Sequence, residues 1–410
     1  MTFMKLGFRS LFRQKRRTAI TLLVITFGIG CLLLAEGHSL YINWGLREST
    51  IHSETGHLQI FDKNYFEKEE DTVLQFGLEN YENLRNDLMQ FQDVKLVLAR
   101  IDMMGLISNG DKSVACFGQA VEPKKEKEMR QLFRMRTSIY DSLIARESEV
   151  EIIALGNGLA KSLNAKIGDY LTLMATTSDG ALNALDLKFV GTFSGFSPEY
   201  DERAIVIPLE AAQILLNTPK VKKLLVALDQ TEQTDLYSQK ISALATEKGY
   251  PIAIKKWQEQ AVYYNRVKVF YNQMIGFLSL VLFIIVFFST ANTIVMSIVE
   301  RTTEIGTLLS MGTSKWQTLK MFFFEGLFIG ILGGIFALIF AFIVSAIINS
   351  FNILLPPAPG MTDGYPLSIR NDISLYFRIF ISTIVVAIVS TIMPALKVTK
   401  MKIVDALGHI

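Results

Sequence analysis

The sequence contains few of the residues from which disulfide frameworks and metal centres are built. Its 410 residues include two cysteines and four histidines. Cys31 lies in an apolar run and Cys116 lies far away in a more polar region, which predicts two separate buried thiols and no disulfide framework. His38, His52 and His57 are close in sequence but lack the H-x-x-x-H spacing that places two ligands on one helical face. We therefore expect no metal site and no cofactor bound by this chain.

A strong charge excess and catalytic motifs are missing as well. The net charge of +2 is too small to indicate a nucleic-acid partner. The segment GNGLAKS, Gly156–Ser162, does not fit the phosphate-loop pattern G-x-x-x-x-G-K-[ST], and no Ser/His/Asp or Cys/His set is evident. The sequence therefore predicts a non-catalytic protein. A membrane enzyme is the alternative, and no motif supports it.

Long apolar runs, by contrast, are abundant. They are Thr18–Ala35, Met274–Val299, Gly326–Ile348 and Ile379–Leu396. Each reaches or approaches the ~20 residues that cross ~30 Å of hydrocarbon, and the second is long enough to tilt or to extend out of the bilayer. The first run is predicted to be an uncleaved anchor rather than a signal peptide, because the basic segment before it is long and no A-x-A site follows.

Lysine and arginine are distributed unequally among the polar segments. They are concentrated before the first run, between the second and third runs, and after the fourth, whereas segment 350–372 carries only Arg370. Because short segments rich in Lys and Arg remain in the cytoplasm, both termini are predicted to be cytoplasmic. The large region between the first and second runs is then predicted to lie outside.

The N-terminal tail has an amphipathic pattern. Basic residues on one helical face and apolar residues on another predict a helix lying on the anionic inner leaflet; the alternative is a solvated basic tail that only sets topology. The basic residues are Lys5, Arg9, Arg13 and Arg16, and the apolar residues are Met4, Phe8, Leu11 and Phe12.

These patterns predict an α-helical membrane protein with four transmembrane helices and a large mixed α+β extracytoplasmic domain inserted between the first two. The expected segments are an amphipathic cytoplasmic helix at 1–17, TM1 at 18–41, the outer domain at 42–265, TM2 with a stalk extension at 266–299, a cytoplasmic helix at 300–316, TM3 at 317–349, a short outer loop at 350–373, TM4 at 374–396 and a cytoplasmic tail at 397–410.

Within the outer domain, strand and helix patterns alternate. The segment GLISNGDKSVACFGQAV predicts a hairpin with a type I′ turn at Asn109–Gly110. The segments VEIIAL, DYLTLMAT, LKFVGTF, KKLLVALD and YPIAIKKW predict strands. Helices are predicted for EPKKEKEMRQLFRMRTSIYDSLI, GLAKSLNA and DLYSQKISALATEKG.

The segment ERTTEIGTLLSMGTSKWQTLKMFFFEG, between the second and third runs, has signals for a helix of its own. Thr302 is expected to cap the helix start, and Gly312 suits the left-handed position at its end. Ser314 with Gln317 forms the pattern of a capping box for the helix that follows. The segment is therefore predicted to be more than a passive loop.

The apolar side of this short helix is predicted to be Ile305, Leu308 and Leu309. An amphipathic helix displayed between two spans suits docking to a soluble motor protein, with its apolar face in a groove and its charges setting the register. The alternative is an ordinary structured loop.

The third run has a regular arrangement of glycines. The glycines at i, i+4 spacing share one helical face, which allows close approach of another span or of a second subunit. They are Gly326, Gly330 and Gly334, with Gly333 beside them. Glu325 at the entrance of this run is a candidate functional carboxylate or a helix-start anion, and Glu36 is a candidate cavity-lining or interfacial carboxylate.

The stretch ERTTEIGTLLSMGTSKWQTLKMFFFEGLFIGILGGIFA resembles the coupling segment and following span of the FtsX-like permeases. These are membrane subunits of mechanotransmission ABC systems of the macrolide-exporter (MacB) and lipoprotein-releasing (LolC and LolE) types. The resemblance rests on E-R-x-x-E-I-G, Gly312, Glu325 and the later glycines, and the tail MPALKVTKMKIVDALG resembles the family's ending. The order of one span, a large domain and three spans also agrees.

Several outer-domain stretches are similar to the lipoprotein-releasing permeases, namely GHLQIFDKNYF, GNGLAKSLNAKIGDYLTLMA and FVGTFSGFSPEYDERAIVIPLEAAQILL. In those permeases a protruding loop of one subunit recruits a periplasmic lipoprotein chaperone. The corresponding TTSDGALNALD is short and lacks the expected Pro and Arg, and LLPPAPGMTDGYP is a second departure.

The resemblance implies a non-catalytic permease of the bacterial inner membrane, with a MacB-like periplasmic core domain and cytoplasmic termini. Its implied partners are two copies of an ABC ATPase that bind ATP and Mg, a second permease subunit in a homo- or heterodimer, membrane lipids, and a periplasmic chaperone or adaptor. The implied substrate is a lipoprotein or another amphiphile. Alternatives are an efflux-type permease, a regulator of cell-wall hydrolases, or a sensor without a motor.

The resemblance also implies a set of ATPase-coupling residues. They are Glu300, Arg301, Glu304, Ile305, Gly306, Leu308, Leu309, Gly312 and Trp316.

Overall fold

The computed structural model describes residues 7–9, 11, 13–67, 74–133, 138–145, 149–194, 197–355 and 365–398. The chain divides into two compact units. The helical unit comprises Met1–Trp44, Val267–Leu355 and Pro366–Ile410, and the sheet unit comprises Gly45–Arg266 and Pro356–Tyr365. Lys5, Met4, Phe12 and the tail at 399–410 lie outside the described residues.

Four long helices account for most of the helical unit. They are Lys15–Thr50, Val262–Glu300, Lys315–Phe351 and Ile373–Val398, here called the first to fourth spanning helices. Within the described ranges, these four are long and apolar enough to cross a membrane, which agrees with the predicted number of candidate spans. The first has 36 residues, about 54 Å at ~1.5 Å per residue, and therefore exceeds a bilayer core.

The inward faces of these helices form one apolar core. Ile25 and Ile29 of the first helix, Ile294 of the second and Ile329 of the third are almost fully buried in it. The second helix has the most exposed apolar surface, with Phe277 and other large side chains pointing outward. An all-round apolar helix of this kind is expected where the surrounding medium is lipid.

The sheet unit contains nine strands among its described residues. They are β1 Leu58–Asp62, β2 Val94–Ser108, β3 Ser113–Val121, β4 Ile152–Gly156, β5 Tyr170–Thr176, β6 Leu182–Phe193, β7 Ala204–Pro208, β8 Lys223–Leu228 and β9 Ile252–Lys256. Their order is β3-β7-β4-β6-β5-β2-β8-β1-β9, and β2 also pairs with β3. Strands β2 to β7 therefore close into a ring, and β8, β1 and β9 extend the sheet beyond it.

The strands follow the period-two pattern of side chains. In β5, Leu171, Leu173 and Ala175 are buried, whereas Tyr170 and Thr176 are exposed. The five predicted strands are confirmed as β4, β5, β6, β8 and β9. Strands β1 and β7 were not predicted from their patterns.

The helices of the sheet unit include the predicted ones. The helix predicted from Glu122 onward is present as two helices, Pro123–Gln131 and Ser138–Ile144, and residues 134–137 are not among the described residues. The helical segments are Tyr81–Leu88, Pro123–Gln131, Ser138–Ile144, Asn157–Ser162, Pro198–Asp201, Leu209–Leu216, Thr234–Lys248 and Trp257–Gln260, with 3₁₀ turns at Lys63–Phe66 and Thr231–Gln233 and a π-helix at Ile51–Thr55. Two short strands, Leu354–Leu355 and Tyr365–Pro366, precede the fourth spanning helix.

Two local expectations need correction. The predicted hairpin joins β2 to β3, but its turn is not type I′, because Gly110 has φ +93° and Asn109 does not have a positive φ. The Asn109 side chain instead accepts hydrogen bonds from the Asp111 and Lys112 amides, which closes a longer turn.

The cysteines also differ from expectation. Cys116 is a buried free thiol, and burial raises its pKa to about 12. Cys31 is free but exposed, so the prediction that it is buried is wrong. A cysteine in an apolar helix can face outward as readily as inward, since the medium around such a helix is itself apolar.

Candidate functional site

The second spanning helix ends in a sharp break at Arg301, whose φ of −112° and ψ of 14° are not helical. A short helix, Thr302–Ser310, follows and is called the junction helix below. The sequence predicts that Thr302 caps the start of this helix, but Thr302 does not form that cap. The Thr302 hydroxyl donates to the Ile298 and Val299 carbonyls at 3.0 and 2.9 Å, so it satisfies the end of the preceding helix instead.

The junction helix ends as predicted, at a glycine in the left-handed region. Gly312 has φ +93°. Its amide donates to the Leu309 carbonyl at 3.1 Å, and the Thr313 amide donates to the Leu308 carbonyl at 3.0 Å. This hydrogen-bond pair is the Schellman motif, in which a residue without a side chain is strongly favoured.

The third spanning helix begins with the predicted capping box. The Ser314 hydroxyl oxygen accepts from the Gln317 amide at 3.3 Å, and the Ser314 amide donates to the Gln317 side chain at 2.8 Å. Both ends of the turn between the junction helix and the third spanning helix are thus fixed by local hydrogen bonds. The segment is a defined structural element.

The apolar side of the junction helix faces inward. Ile305 has only 1% of its surface exposed and belongs to the core of the helical unit, with Leu309 packed against it. The expectation that Ile305 enters a groove of a partner is therefore wrong. The large apolar side chains that the segment exposes are Met311 at 78% and Trp316 at 73%. Leu308 is intermediate in burial.

Charged residues attach the junction helix and the end of the second spanning helix to the N-terminal part of the chain. Arg13 forms an ion pair with Glu304 at 2.5 Å, and Arg17 forms one with Glu300 at 2.5 Å. Arg301 is also within 3.4 Å of Glu304. The hydrogen bond from Arg13 is the main reason why the pKa of Glu304 lies below its usual value.

The N-terminal part also packs by apolar contacts. The Phe8 ring lies edge-on to Phe328 of the third spanning helix, with 5.3 Å between centroids. Leu11 is 4% exposed and belongs to the helical core. The described part of the predicted amphipathic helix therefore directs Leu11 toward the protein, while Arg9 and Arg16 remain exposed.

Glu325 lies nearly three helical turns inside the third spanning helix, which begins at Lys315, and is 3% exposed. The Ser297 hydroxyl donates to its Oε1 at 3.3 Å, and Arg301 Nη1 is 3.9 Å from its Oε2. A buried carboxylate is costly unless it is paired. Arg301 therefore connects the helix break, the junction helix and the third spanning helix.

The glycines of the third spanning helix are covered within the chain. A Cβ on Gly330 would lie 3.0 Å from that of Ala387, and one on Gly334 would lie 2.7 Å from the Phe380 ring, both in the fourth helix. Gly333 faces the first helix in the same way. The predicted packing residues Gly326, Gly330, Gly333 and Gly334 are all buried. The glycine face thus serves helix packing inside this chain.

At the other end of the helical unit, Glu36 forms an ion pair with Arg378 of the fourth helix at 2.6 Å. Among the residues that the structure describes, no group of three His, Cys, Asp or Glu side chains is arranged to hold a metal. His38 contacts the Ser368 carbonyl, and His52 contacts the Glu48 carbonyl, both at 2.9 Å. These histidines have structural hydrogen bonds.

The sequence is similar to known membrane proteins. Residues 276–403 match the family described as FtsX-like permease C-terminal. Over 264 residues, 62% of this chain, it is 21% identical to the lipoprotein-releasing system transmembrane protein LolE of Haemophilus influenzae. The chain spans about three fifths of that relative, 61% of its length.

Solved structures with some similarity are a periplasmic region and an extracellular domain of bacterial proteins. One is the periplasmic region of MacB from Actinobacillus actinomycetemcomitans, with a TM-score of 0.36, 12% identity, and coverage of 51% of this chain and 92% of that one. Another is the extracellular domain of the ABC-type transporter YknZ from Gram-positive bacteria, with a TM-score of 0.33, 10% identity, and coverage of 48% and 99%.

Proposed function

We propose that this membrane protein, which carries an FtsX-like permease domain at 276–403, is the non-catalytic permease subunit of an ABC transporter. In this role it passes motion from cytoplasmic ATPase subunits to its sheet unit. The observation that carries the proposal is the junction helix together with the exposed Met311 and Trp316 that follow it, Met311 at its end and Trp316 in the first turn of the third spanning helix. A segment fixed at both ends and displaying large apolar side chains is suited to receive force from a partner.

The proposed docking surface consists of the exposed side chains of Met311 and Trp316. Trp is the residue type most enriched among binding hot spots, and Met adapts its shape to a partner. Ile305 acts from inside, since it joins the junction helix to the helical core. A push on the exposed side is then delivered to the spanning helices rather than absorbed by a loop.

The proposed orientation places the junction helix and both termini in the cytoplasm and the sheet unit in the periplasm of the bacterial inner membrane. The support is the excess of Lys and Arg in the short segments assigned to the cytoplasm. The proposed partners are two ATPase subunits, which bind ATP and Mg, and a second permease subunit. A periplasmic chaperone or adaptor is a further proposed partner.

The proposed substrate is a lipoprotein or another amphiphile, moved from the outer leaflet or the periplasm. Support comes from the similarity to a lipoprotein-releasing transmembrane protein. The test is purification of the tagged chain from its native membranes, followed by identification of copurifying proteins and measurement of ATP turnover. An ABC ATPase in the complex is the expected result. Its absence, with intact chain recovered, would favour a sensor without a motor.

A further inference from the structure

Arg100 is a fully buried arginine at a branch point of the sheet. In β2 it pairs with Lys223 of β8 on one edge and with Val121 of β3 on the other. Its side chain is 0% exposed and forms an ion pair with Glu126, which is also 0% exposed. The pair is bidentate, with Arg100 Nη2 2.7 Å from Glu126 Oε2 and the Nε–H donating to Oε1.

The same guanidinium group holds the end of the first spanning helix. Arg100 Nη1 donates to the Glu54 carbonyl at 2.9 Å, and Nη2 donates to the Ser53 carbonyl at 3.0 Å. Both carbonyls belong to the π-helix Ile51–Thr55, which continues the first spanning helix and ends at Gly56 with φ +63°. Carbonyls at a helix end lack helical partners and carry partial negative charge, so a cation there is stabilising.

A second set of hydrogen bonds holds the same helix one turn earlier. The Thr231 hydroxyl donates to the Glu48 carboxylate at 3.1 Å, and His57 Nε2 is 3.1 Å from the Thr231 oxygen. The Leu228 amide of β8 donates to His57 Nδ1 at 3.0 Å. The end of the first helix is therefore attached to the sheet by directional contacts.

The segment that precedes the second spanning helix has one backbone hydrogen bond, from the Trp257 amide to the His57 carbonyl at 3.1 Å, and its side chains are held by apolar contacts. Trp257, Ala261 and Tyr264 pack against Ile51 in an apolar cluster. Ala261 interrupts the helical backbone there with φ −80° and ψ 60°. Apolar contacts are non-directional, whereas hydrogen bonds to a planar guanidinium fix both the position and the rotation of the group they hold.

We propose that Arg100, oriented by Glu126, is a positioning residue that fixes the first spanning helix to strand β2, so that displacement of this helix is delivered to the sheet. The inference rests on the proposed function, in which motion must pass along the helices that enter the sheet unit. The non-helical residue Ala261, just before the second spanning helix, supplies the compliant connection.

The test is a double variant, Arg100→Met with Glu126→Met, in the full chain with its ATPase in lipid nanodiscs. Replacing both charges leaves no buried charge unpaired, so folding is retained, while the bonds to Ser53 and Glu54 are lost. Arg100→Lys is an intermediate variant, because one ammonium group cannot serve all these acceptors. The control is Lys188→Met with Glu149→Gln, a partly exposed ion pair at 3.3 Å that involves β6 and lies elsewhere in the sheet unit.

Hydrogen exchange with and without ATP is the readout. In the double variant we expect exchange of the amides at 51–56 to accelerate about tenfold or more, because the helix end opens locally. ATP turnover is expected to stay within about twofold of wild type. The difference in hydrogen exchange of the β2 amides with and without ATP is expected to be lost. The control variant should keep wild-type exchange at 51–56 and the wild-type ATP-dependent change in β2. Arg100→Lys should give values between those of wild type and the double variant.

Three results separate the inference from the proposed function. An ATP-dependent change in β2 that survives in the double variant overturns the inference, as does an equal loss in the control. If wild type binds no ATPase and shows no ATP response, the proposed function fails. In that case unchanged exchange at 51–56 in the double variant overturns the anchoring role as well, and accelerated exchange supports anchoring alone.

Discussion

Arg17 in the first spanning helix and Glu300 at the end of the second lie 2.5 Å apart. Arg13 and Glu304 form a second ion pair at the same separation, so the N-terminal part of the chain is attached to both the end of the second spanning helix and the junction helix. The first spanning helix is also the one that Arg100 holds in the sheet unit. One continuous helix is therefore fixed by charged contacts at the junction and, separately, within the sheet.

A double-mutant cycle on Arg17 and Glu300 measures the first of these connections. Each charge reversal, Arg17→Glu or Glu300→Arg, should destabilise the detergent-solubilised chain by about 0.5–1 kcal/mol, since the pair is partly exposed. The double reversal should recover most of this loss, and the recovery should shrink in high salt. Thermal unfolding of the four proteins is the measurement. Additive losses in the double variant would show that the pair does not interact.

Helix packing at Gly330 gives a second prediction. Gly330→Ala should destabilise the helical unit by about 1–3 kcal/mol, because the new methyl group meets Ala387. Gly276→Ala is the control in the second spanning helix, where a Cβ meets nothing within 4 Å. Thermal unfolding in detergent compares them. Equal stability of the two variants would contradict the assignment of the glycine face.

Local signals were readable from the sequence, whereas long-range partners were not. Gly312 and the Ser314–Gln317 box were predicted because each depends only on neighbours a few residues away. The apolar stripe of the junction helix was also visible, but the sequence does not tell whether such a stripe faces the protein or a partner. Ile305 was misassigned for that reason.

The pairings that define the two attachments were missed for a related reason. Arg13 with Glu304, and Arg100 with Glu126, join different elements of the fold, and single charged residues give no sequence signal of their partners. Strand β1 was not predicted because its buried position depends on pairing with β8 and β9 on either side.

Because His57 is buried, we expect the stability of the sheet unit to depend on pH. Burial, with His52 and Arg47 nearby, lowers its pKa from 6.5 to about 3. Between pH 6.5 and about pH 3, the unfolded chain therefore binds a proton that the folded chain does not. The free energy of unfolding keeps its full value above pH 6.5 and falls as the pH drops toward 3. The slope contributed by His57 is at most about 1.4 kcal/mol per pH unit.

The measurement is chemical unfolding of the full chain in detergent at several pH values, with the fluorescence of Trp257 as the signal that monitors unfolding. Trp44→Phe and Trp316→Phe remove the other two tryptophans. In that background His57→Gln should flatten the decline between pH 6.5 and pH 4, since it removes the titrating imidazole. A decline of the same slope in His57→Gln would show that other groups cause it.

Orientation is tested by single cysteines in a chain lacking Cys31 and Cys116. Lys315→Cys should be protected from an impermeant maleimide in intact cells with a permeable outer membrane, and Ser178→Cys should be labelled. Lys315 is exposed and is preferred to Ser314, whose oxygen caps the third helix. Labelling at Lys315 with protection at Ser178 would reverse the proposed topology.

The most direct measurement of the central claim is ATPase binding and turnover with Trp316→Ala. This variant should weaken ATPase binding about tenfold or more, because a large apolar anchor is removed from the proposed interface. Phe351→Ala is the matched control, an aromatic residue 71% exposed at the far end of the same helix, and it should bind the ATPase normally. Equal insertion of both variants in the membrane is checked first. Full ATPase binding and turnover with Trp316→Ala would contradict the proposal that Met311 and Trp316 form the surface that binds the ATPase.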